Sequence, residues 1–292
     1  MHPRDVGLAL VVVLLWGVNF VVIKLGLRGV SPFVLGGLRM LLTALPAVFF
    51  LPRPRLPLRL YLGFAGCSFL GQFALLFLAI QVGMPSGLAA VVQQSQVPFT
   101  VLLAALVLGE HPRPPQILGI AVAAAGLICL GLARGSSFPL VGLVLTLCAA
   151  FCWAVGNLVS RSLSRYSVNV LAFVVWSALL ASAPFFALCW ILEGRESLIS
   201  SARALGVGSW FAVAYLAFGA TLGGYGLWNR LLRAYPAALV TRFALLVPVV
   251  ALVCGWLVFG ERLSAGQVAG CALVIAGVAL PLATAWWARL SV

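Results

Sequence analysis

The chain of 292 residues is 64% hydrophobic and 8% charged, against roughly 25% charged in ordinary soluble domains, which excludes a soluble globular protein. Its net charge of +13 is scattered through short loops instead of being gathered on one domain, which argues against nucleic acid as a partner. The seven cysteines form no CxxC pair or Cys/His cluster and read as small buried hydrophobes.

A bilayer core about 30 Å thick takes roughly 20 apolar residues as a helix rising about 1.5 Å per residue. Cutting the chain at its charges, glycines and prolines predicts ten such runs. They lie near Val6 to Ile23, Phe33 to Leu51, Leu60 to Ile80, Pro85 to Leu108, Gln116 to Ala133, Leu140 to Ser160, Val170 to Leu192, Gly208 to Asn229, Ala237 to Phe259 and Gly266 to Ala288. The runs are continuous and about twice the length of the alternating strands of a membrane barrel. The expected fold class is therefore all-α integral membrane. The first run lacks a basic leader and a small-residue cleavage site, and reads as the first helix and not as a signal peptide.

Polar groups inside these runs are the candidates for function. The first helix carries Trp16 and Asn19, the second Arg39, and the third Ser68 and Gln72. An arginine at membrane depth needs a partner, water or an interface, and Arg39 is expected to snorkel or pack. The fourth helix reads AAVVQQSQVPFTVLLAAL over residues 89–106. Positions three and four apart share a helix face, so Ser86, Ala89, Gln93, Gln96 and Thr100 form one small or polar stripe. Pro98 cannot donate to the Gln94 carbonyl, which predicts a freed carbonyl beside the amides. An unsatisfied polar group in lipid is costly, so this face should border protein or a wet cavity. Amides both donate and accept, which suits Gln93 and Gln96 to a zwitterion. Interhelical hydrogen bonding is their other reading.

Further along, helix 6 carries Trp153 and Asn157, and helix 8 carries Thr221, Tyr225 and Trp228. Rings facing a cavity could stack on flat cargo, although Trp and Tyr also serve as interfacial anchors. Gly223-Gly224 is a candidate hinge, and the pairs Gly83/Gly87, Gly219/Gly223 and Gly266/Gly270 are spaced for close helix approach. Arg242, near the start of helix 9, is the expected carboxylate-recognising charge. The five acidic residues, Asp5, Glu110, Glu193, Glu196 and Glu261, all fall at span ends or in loops. With no carboxylate at mid-helix, proton-coupled efflux of cations is disfavoured, and facilitated or exchange transport is expected. Glu110 and Glu261 follow matched glycines, where helix termination is their simplest role.

Residues 109 to 126 and 260 to 277 align without a gap at an offset of 151, pairing Gly109/Gly260, Glu110/Glu261, Gln116/Gln267, Gly119/Gly270 and Gly126/Gly277. A weaker echo links LLWGVNFVVIK around Trp16 to FCWAVGNLVSR around Trp153. The chain thus divides into 1–135 and 136–292, two five-helix halves. Five is odd, so the second half enters the membrane from the opposite side. Inverted repeats of this kind are common in secondary transporters, because mirrored halves offer two nearly equivalent packings.

On these residues the chain resembles the EamA branch of the drug/metabolite transporter superfamily, over essentially its whole length. Within that branch it is most similar to bacterial inner-membrane exporters of aromatic amino acids and related metabolites. The resemblance implies helices 1, 3, 4, 6, 8 and 9 around a central cavity, with helices 5 and 10 as supports. The expected substrate contacts are Asn19, Gln72, Gln93, Gln96, Trp153, Asn157, Tyr225, Trp228 and Arg242. The expected function is export of amino acids, aromatic or otherwise apolar, by alternating access. The alternatives are export of organic cations or drugs, and exchange of phosphorylated or nucleotide-linked sugars, for which clustered basic residues would be wanted.

An enzyme would need a nucleophile, base or metal constellation at membrane depth. The two histidines, His2 and His111, lie near span ends and no such motif is present. No cofactor or metal is expected; the expected partners are a small-molecule substrate and membrane lipid, with the chain a monomer. Both termini are placed in the cytoplasm, because Arg4, Arg53, Arg55, Arg59, Arg113, Arg161, Arg165, Arg230, Arg233 and Arg289 then lie inside, against Lys24, Arg28, Arg134, Arg195, Arg203 and Arg262 outside. The dominance of arginine over the single lysine, Lys24, suits a bacterial inner-membrane protein of a GC-rich genome.

Overall fold

Prolines and short polar caps set where the helices begin. Pro3 and Pro32 occupy first turns, where a missing N–H costs nothing, behind His2, whose ring accepts from the Arg4 N–H, and Ser31, whose hydroxyl accepts from the Phe33 N–H. The computed structural model describes residues 1–135 and 138–290. Residues 136 and 137, within the seam expected near Arg134 to Pro139 between the halves, lie outside the described residues, as does the side chain of Arg289.

Among the described residues ten helices are long and apolar enough to cross a membrane: α1 Pro3–Gly26, α2 Pro32–Phe49, α3 Leu58–Gln81, α4 Ser86–Leu108, α5 Pro114–Leu132, α6 Leu140–Arg165, α7 Val170–Glu193, α8 Val207–Ala234, α9 Thr241–Phe259 and α10 Ala265–Leu290. A short helix, Arg195–Ala204, joins α7 to α8. No strand occurs among the described residues. The fold is all-α, as the length and continuity of the apolar runs require.

Departures from regular helix recur at matched positions. In α3 the segment Ala65–Gly71 is underwound to i→i+5 bonding, and in α8 the segment Tyr215–Gly223 is too. Such π-segments inside α-helices are uncommon and concentrate at functional positions. α4 is interrupted at Gln94 and Ser95, and α9 opens with a 3₁₀ stretch, Thr241–Leu246, before Pro248. α4 and α9 then stop at Gly109 (φ 66°) and Gly260 (φ 65°), left-handed caps that favour glycine. The glycines, not Glu110 and Glu261, terminate these helices.

Glycines also set the helix spacing. α5 and α10 cross backbone to backbone: an added Cβ on Gly119 would stand 2.5 Å from the Gly277 carbonyl oxygen, and one on Gly277 2.5 Å from the Gly119 oxygen. Gly126 and Gly270 face each other in the same reciprocal way. α2 packs on α7, where Gly36 and Gly37 receive the rings of Phe185 and Phe186. Gly87 and Gly266 likewise permit close approach, to Leu252 and Ala133, whereas Gly219 meets nothing nearer than 3.5 Å. The Gly219/Gly223 pair is therefore not a helix-packing motif; Gly223 ends the π-segment, and Gly224 makes room for the Trp16 indole.

Candidate functional site

The polar turn of α4 divides the helix into two unlike halves. Every residue of Ser86–Gln93 is buried, but in Gln96–Leu108 only Ala104 is. The turn tightens locally, so that Val97 donates its N–H to the Gln94 carbonyl at 3.0 Å. The carbonyl expected to be freed by Pro98 is thus satisfied by an i→i+3 bond, which the break in the helix makes possible. The Gln94 side chain spans to α9, donating to the Ala244 carbonyl at 3.2 Å. On the open half, Asn157 of α6 donates to Gln96 Oε1 at 2.7 Å and to the Thr100 hydroxyl at 3.1 Å. Gln93 lies just inside the buried half, 2% exposed, with neither amide atom partnered.

A second cluster joins α1 to α8. The Trp16 ring sits 5.9 Å from Tyr225 and 5.1 Å from Trp228, and its indole N–H donates to the Ala220 carbonyl at 3.0 Å. Ala220 belongs to the π-segment. One turn on in α1, Asn19 is buried with Oδ1 unpartnered.

Arg39 of α2 is 3% exposed. Its Nε and Nη2 donate to the Thr221 hydroxyl at 3.3 and 3.1 Å, and its guanidinium carbon lies 3.9 Å from the centre of the Phe73 ring. The Thr221 hydroxyl in turn donates to the Leu216 carbonyl at 2.7 Å, again within the π-segment. Tyr225 follows Thr221 by four residues on α8, one turn away on the same face, which links this cluster to the aromatic one.

Two ion pairs tie the Gly-Glu turns to the ends of α1 and α6. Lys24 Nζ lies 2.8 Å from Glu261, and Arg161 Nη2 lies 2.6 Å from Glu110. Their settings differ. Glu261 also accepts the backbone N–H of Ser86 at 2.9 Å, the Ser86 hydroxyl at 2.9 Å and the Gly87 N–H at 3.0 Å, so that it caps the start of α4. An anion there is favoured by the helix dipole as well as by the lysine. Burial alone would push the Glu261 carboxyl up, but Lys24 and the Gly87 and Ser86 N–H groups outweigh it and hold the group below the ordinary carboxylate range. Gly255 leaves the room, since a Cβ there would fall 2.5 Å from Glu261 Oε2. Side-chain exposure is 33% for Lys24 and 11% for Glu261, but 57% for Arg161 and 45% for Glu110.

Of the residues singled out from sequence, the structure joins Gln96 to Asn157 and Tyr225 to Trp228 through Trp16. Gln72 is buried next to Phe73, and Trp153 is half-buried one turn before Asn157. Arg242 stands apart: it is exposed in the 3₁₀ opening of α9 and donates only to the nearby Leu239 carbonyl at 3.1 Å. Among the described residues the buried cation is instead Arg39, which packs against Phe73 and does not snorkel. Sequence reasoning gave it no part in binding and missed the Lys24–Glu261–Ser86 cluster. The signals were present: an arginine in a span with no acid in any span, and a basic residue at the same distance after Trp16 as after Trp153.

A bundle of ten apolar helices, with helices broken at mid-span and polar clusters gathered around the breaks, has the build of a membrane transporter. The model of the EamA-like transporter family matches residues 5–132 and 140–282. The chain belongs to that family and is a multi-pass inner-membrane transporter, not an enzyme. It is 43% identical over 282 residues, 95% of this chain and 94% of the other, to an Escherichia coli protein named "Probable amino-acid metabolite efflux pump". A Salmonella typhimurium protein of the same name is 44% identical over the same shares. The "Uncharacterized inner membrane transporter YedA" of Escherichia coli is 29% identical over 86% of this chain and 81% of its own. A crystal structure 24% identical in sequence superposes over 100% of both chains with a TM-score of 0.63, a likeness of fold.

Proposed function

We propose that the protein exports amino acids or their close metabolites from the cytoplasm, by alternating access between two inverted five-helix halves, residues 1–135 and 136–292. The observation that carries this reading is the inequality of the two ion pairs. They occupy equivalent places in the repeat: each joins the first helix of one half to the Gly-Glu turn of the other. Counting spans from the N-terminus puts Lys24 and Glu261 on the face opposite the termini, and Glu110 and Arg161 on the terminal face.

On the opposite face everything is drawn in. Glu261 clasps the start of α4, and Ser86–Gln93 packs along Val247–Phe259. On the terminal face Arg161 and Glu110 stand exposed, Gln96–Leu108 is largely uncovered, and no residue of Thr241–Leu246 is buried. Two equivalent latches, both made but one drawn in and the other at the surface, fit a chain held in one of two related packings. With the termini cytoplasmic, this packing opens inward, where an exporter loads. Residue choice biases it so. The position 151 beyond Ser86 is Ala237, without a hydroxyl, and the counterpart of Gly255 is Ala104, which crowds the space a carboxylate needs.

The amide and hydroxyl lining at Gln93, Gln96, Thr100 and Asn157 suits a zwitterion, and two relatives are named for efflux of amino-acid metabolites. Asn19, Gln72, Trp153, Tyr225 and Trp228 complete the proposed lining, with Arg242 at its open mouth. Counterflow in proteoliposomes tests the reading, with labelled L-phenylalanine, L-leucine and L-serine set against tetraphenylphosphonium and glucose 6-phosphate. Accumulation of an amino acid against its unlabelled form is expected. Movement of the phosphonium or the sugar phosphate with none of the amino acids would overturn it.

A further inference from the structure

We infer that Arg39 is a carboxylate-binding residue, its free Nη1–Nη2 edge receiving the carboxylate of the transported molecule at the junction of α2, α3 and α8. The inference deepens the amino-acid reading above and rests on it for the ammonium half of the ligand, but the carboxylate site stands on its own observations.

The first is charge. Arg39 is 3% exposed and no acidic side chain answers it. The two salt bridges among the described residues use Glu110 and Glu261. Asp5 accepts from the Tyr235 hydroxyl, Glu193 from Ser197, and Glu196 is exposed at the start of the short helix after α7. A guanidinium cannot shed its proton to escape burial, so a buried one requires an anion or a dense set of acceptors. Here it has one hydroxyl.

The second is orientation. Thr221 takes Nε and one hydrogen of Nη2, and Phe73 lies against the guanidinium face. The Thr221 oxygen is itself fixed by the bond it donates to Leu216. Nη1 is buried and has no partner. Buried side-chain donors are nearly always satisfied, and the unused N–H groups of Nη1 and Nη2 lie side by side on one edge, in the spacing that a carboxylate accepts bidentately. The acceptor is a π-segment threonine, so the guanidinium is held by the element of α8 best able to shift by one residue. Anion arrival and rearrangement of α8 are thereby coupled at one side chain.

The test compares aromatic ligands with and without a carboxylate. Thermal unfolding of the detergent-solubilised wild-type protein is followed with L-phenylalanine, phenylacetate, L-phenylalaninamide and phenethylamine. Stabilisation by the two carboxylates and not by the two amines is expected; equal stabilisation by both classes overturns the inference. Stabilisation by phenylacetate, with no amino-acid counterflow by the same protein, leaves the carboxylate site standing and removes the amino-acid reading. Arg39→Gln should raise the half-saturating concentration of L-phenylalanine at least tenfold, removing its advantage over L-phenylalaninamide, while Arg39→Lys, which keeps the charge but not the fork, should fall between. If Arg39→Gln does not fold, the wild-type ligand comparison decides alone.

Discussion

Glu261 accepts the Lys24 ammonium at 2.8 Å across the boundary between the two halves of the chain, and the same carboxylate caps the helix that begins at Ser86. One side chain therefore holds three elements, the end of α1, the start of α4 and the turn after α9. Opening this face means separating them.

Glu261→Gln should release that face. The substitution removes the charge opposite Lys24 while keeping size, and a partly buried pair with two backbone hydrogen bonds is worth about 2 kcal/mol or more. Spin labels on the end of α1 and the turn after α9 should move apart in the variant. Acid should do the same only when strong. The carboxyl sits below its ordinary value, so its contribution is complete above about pH 4.5 and is lost as pH falls through the lower folded value. The label distance should hold from pH 7 to 5 and lengthen below that.

Gly255→Ala tests the space instead of the charge. Its new methyl would fall 2.5 Å from Glu261 Oε2 and 3.2 Å from the Ser86 hydroxyl, so the latch should loosen with both partners present. The labels should report the same separation as in Glu261→Gln. Ala104→Gly, at the equivalent place, should favour closure of the terminal face.

Arg161→Gln should barely change stability, by less than about 1 kcal/mol, since exposed pairs contribute little. In the proposed alternating-access cycle the opposite packing buries this pair, so turnover should nevertheless drop several-fold. Thermal unfolding and counterflow on the same sample separate the two effects.

Gln93→Leu should stabilise the protein and impair it. Both amide atoms are buried without partners, and removing an unsatisfied polar group of similar size is worth about 1 kcal/mol. A higher unfolding temperature with weaker transport is expected; a higher temperature with unchanged kinetics would take Gln93 out of the substrate path.

Gly277→Val should prevent stable insertion or lower stability by about 3 kcal/mol, since its Cβ would meet the Ala123 N–H and the Gly119 carbonyl at 2.5 Å. Gly219→Ala, with nothing within 3.4 Å, should be silent by the same measurement.

Composition and run length alone determined the class of fold: lipid cannot satisfy a backbone hydrogen bond, so twenty-residue apolar stretches had to be helices. The matched glycines were legible too: Gly109 and Gly260 both take a positive φ, and Gly119 and Gly270 both lie where an added Cβ would meet backbone. Sequence also marked Gln96, Asn157, Tyr225 and Trp228 as polar or aromatic groups inside apolar runs. What it could not decide is which groups meet. Arg39 and Arg242 look alike along the chain, and only packing shows that one is sealed against Phe73 and Thr221 while the other stands in the open. Pro98 announces a missing donor, but whether the Gln94 carbonyl stays free depends on how the helix yields. Glu261 reads as a helix stop until α1 and α4, far away in sequence, bring it a lysine and two N–H groups. Pairings across more than a hundred residues are set by how whole helices lie against one another, and no local pattern of residues encodes that.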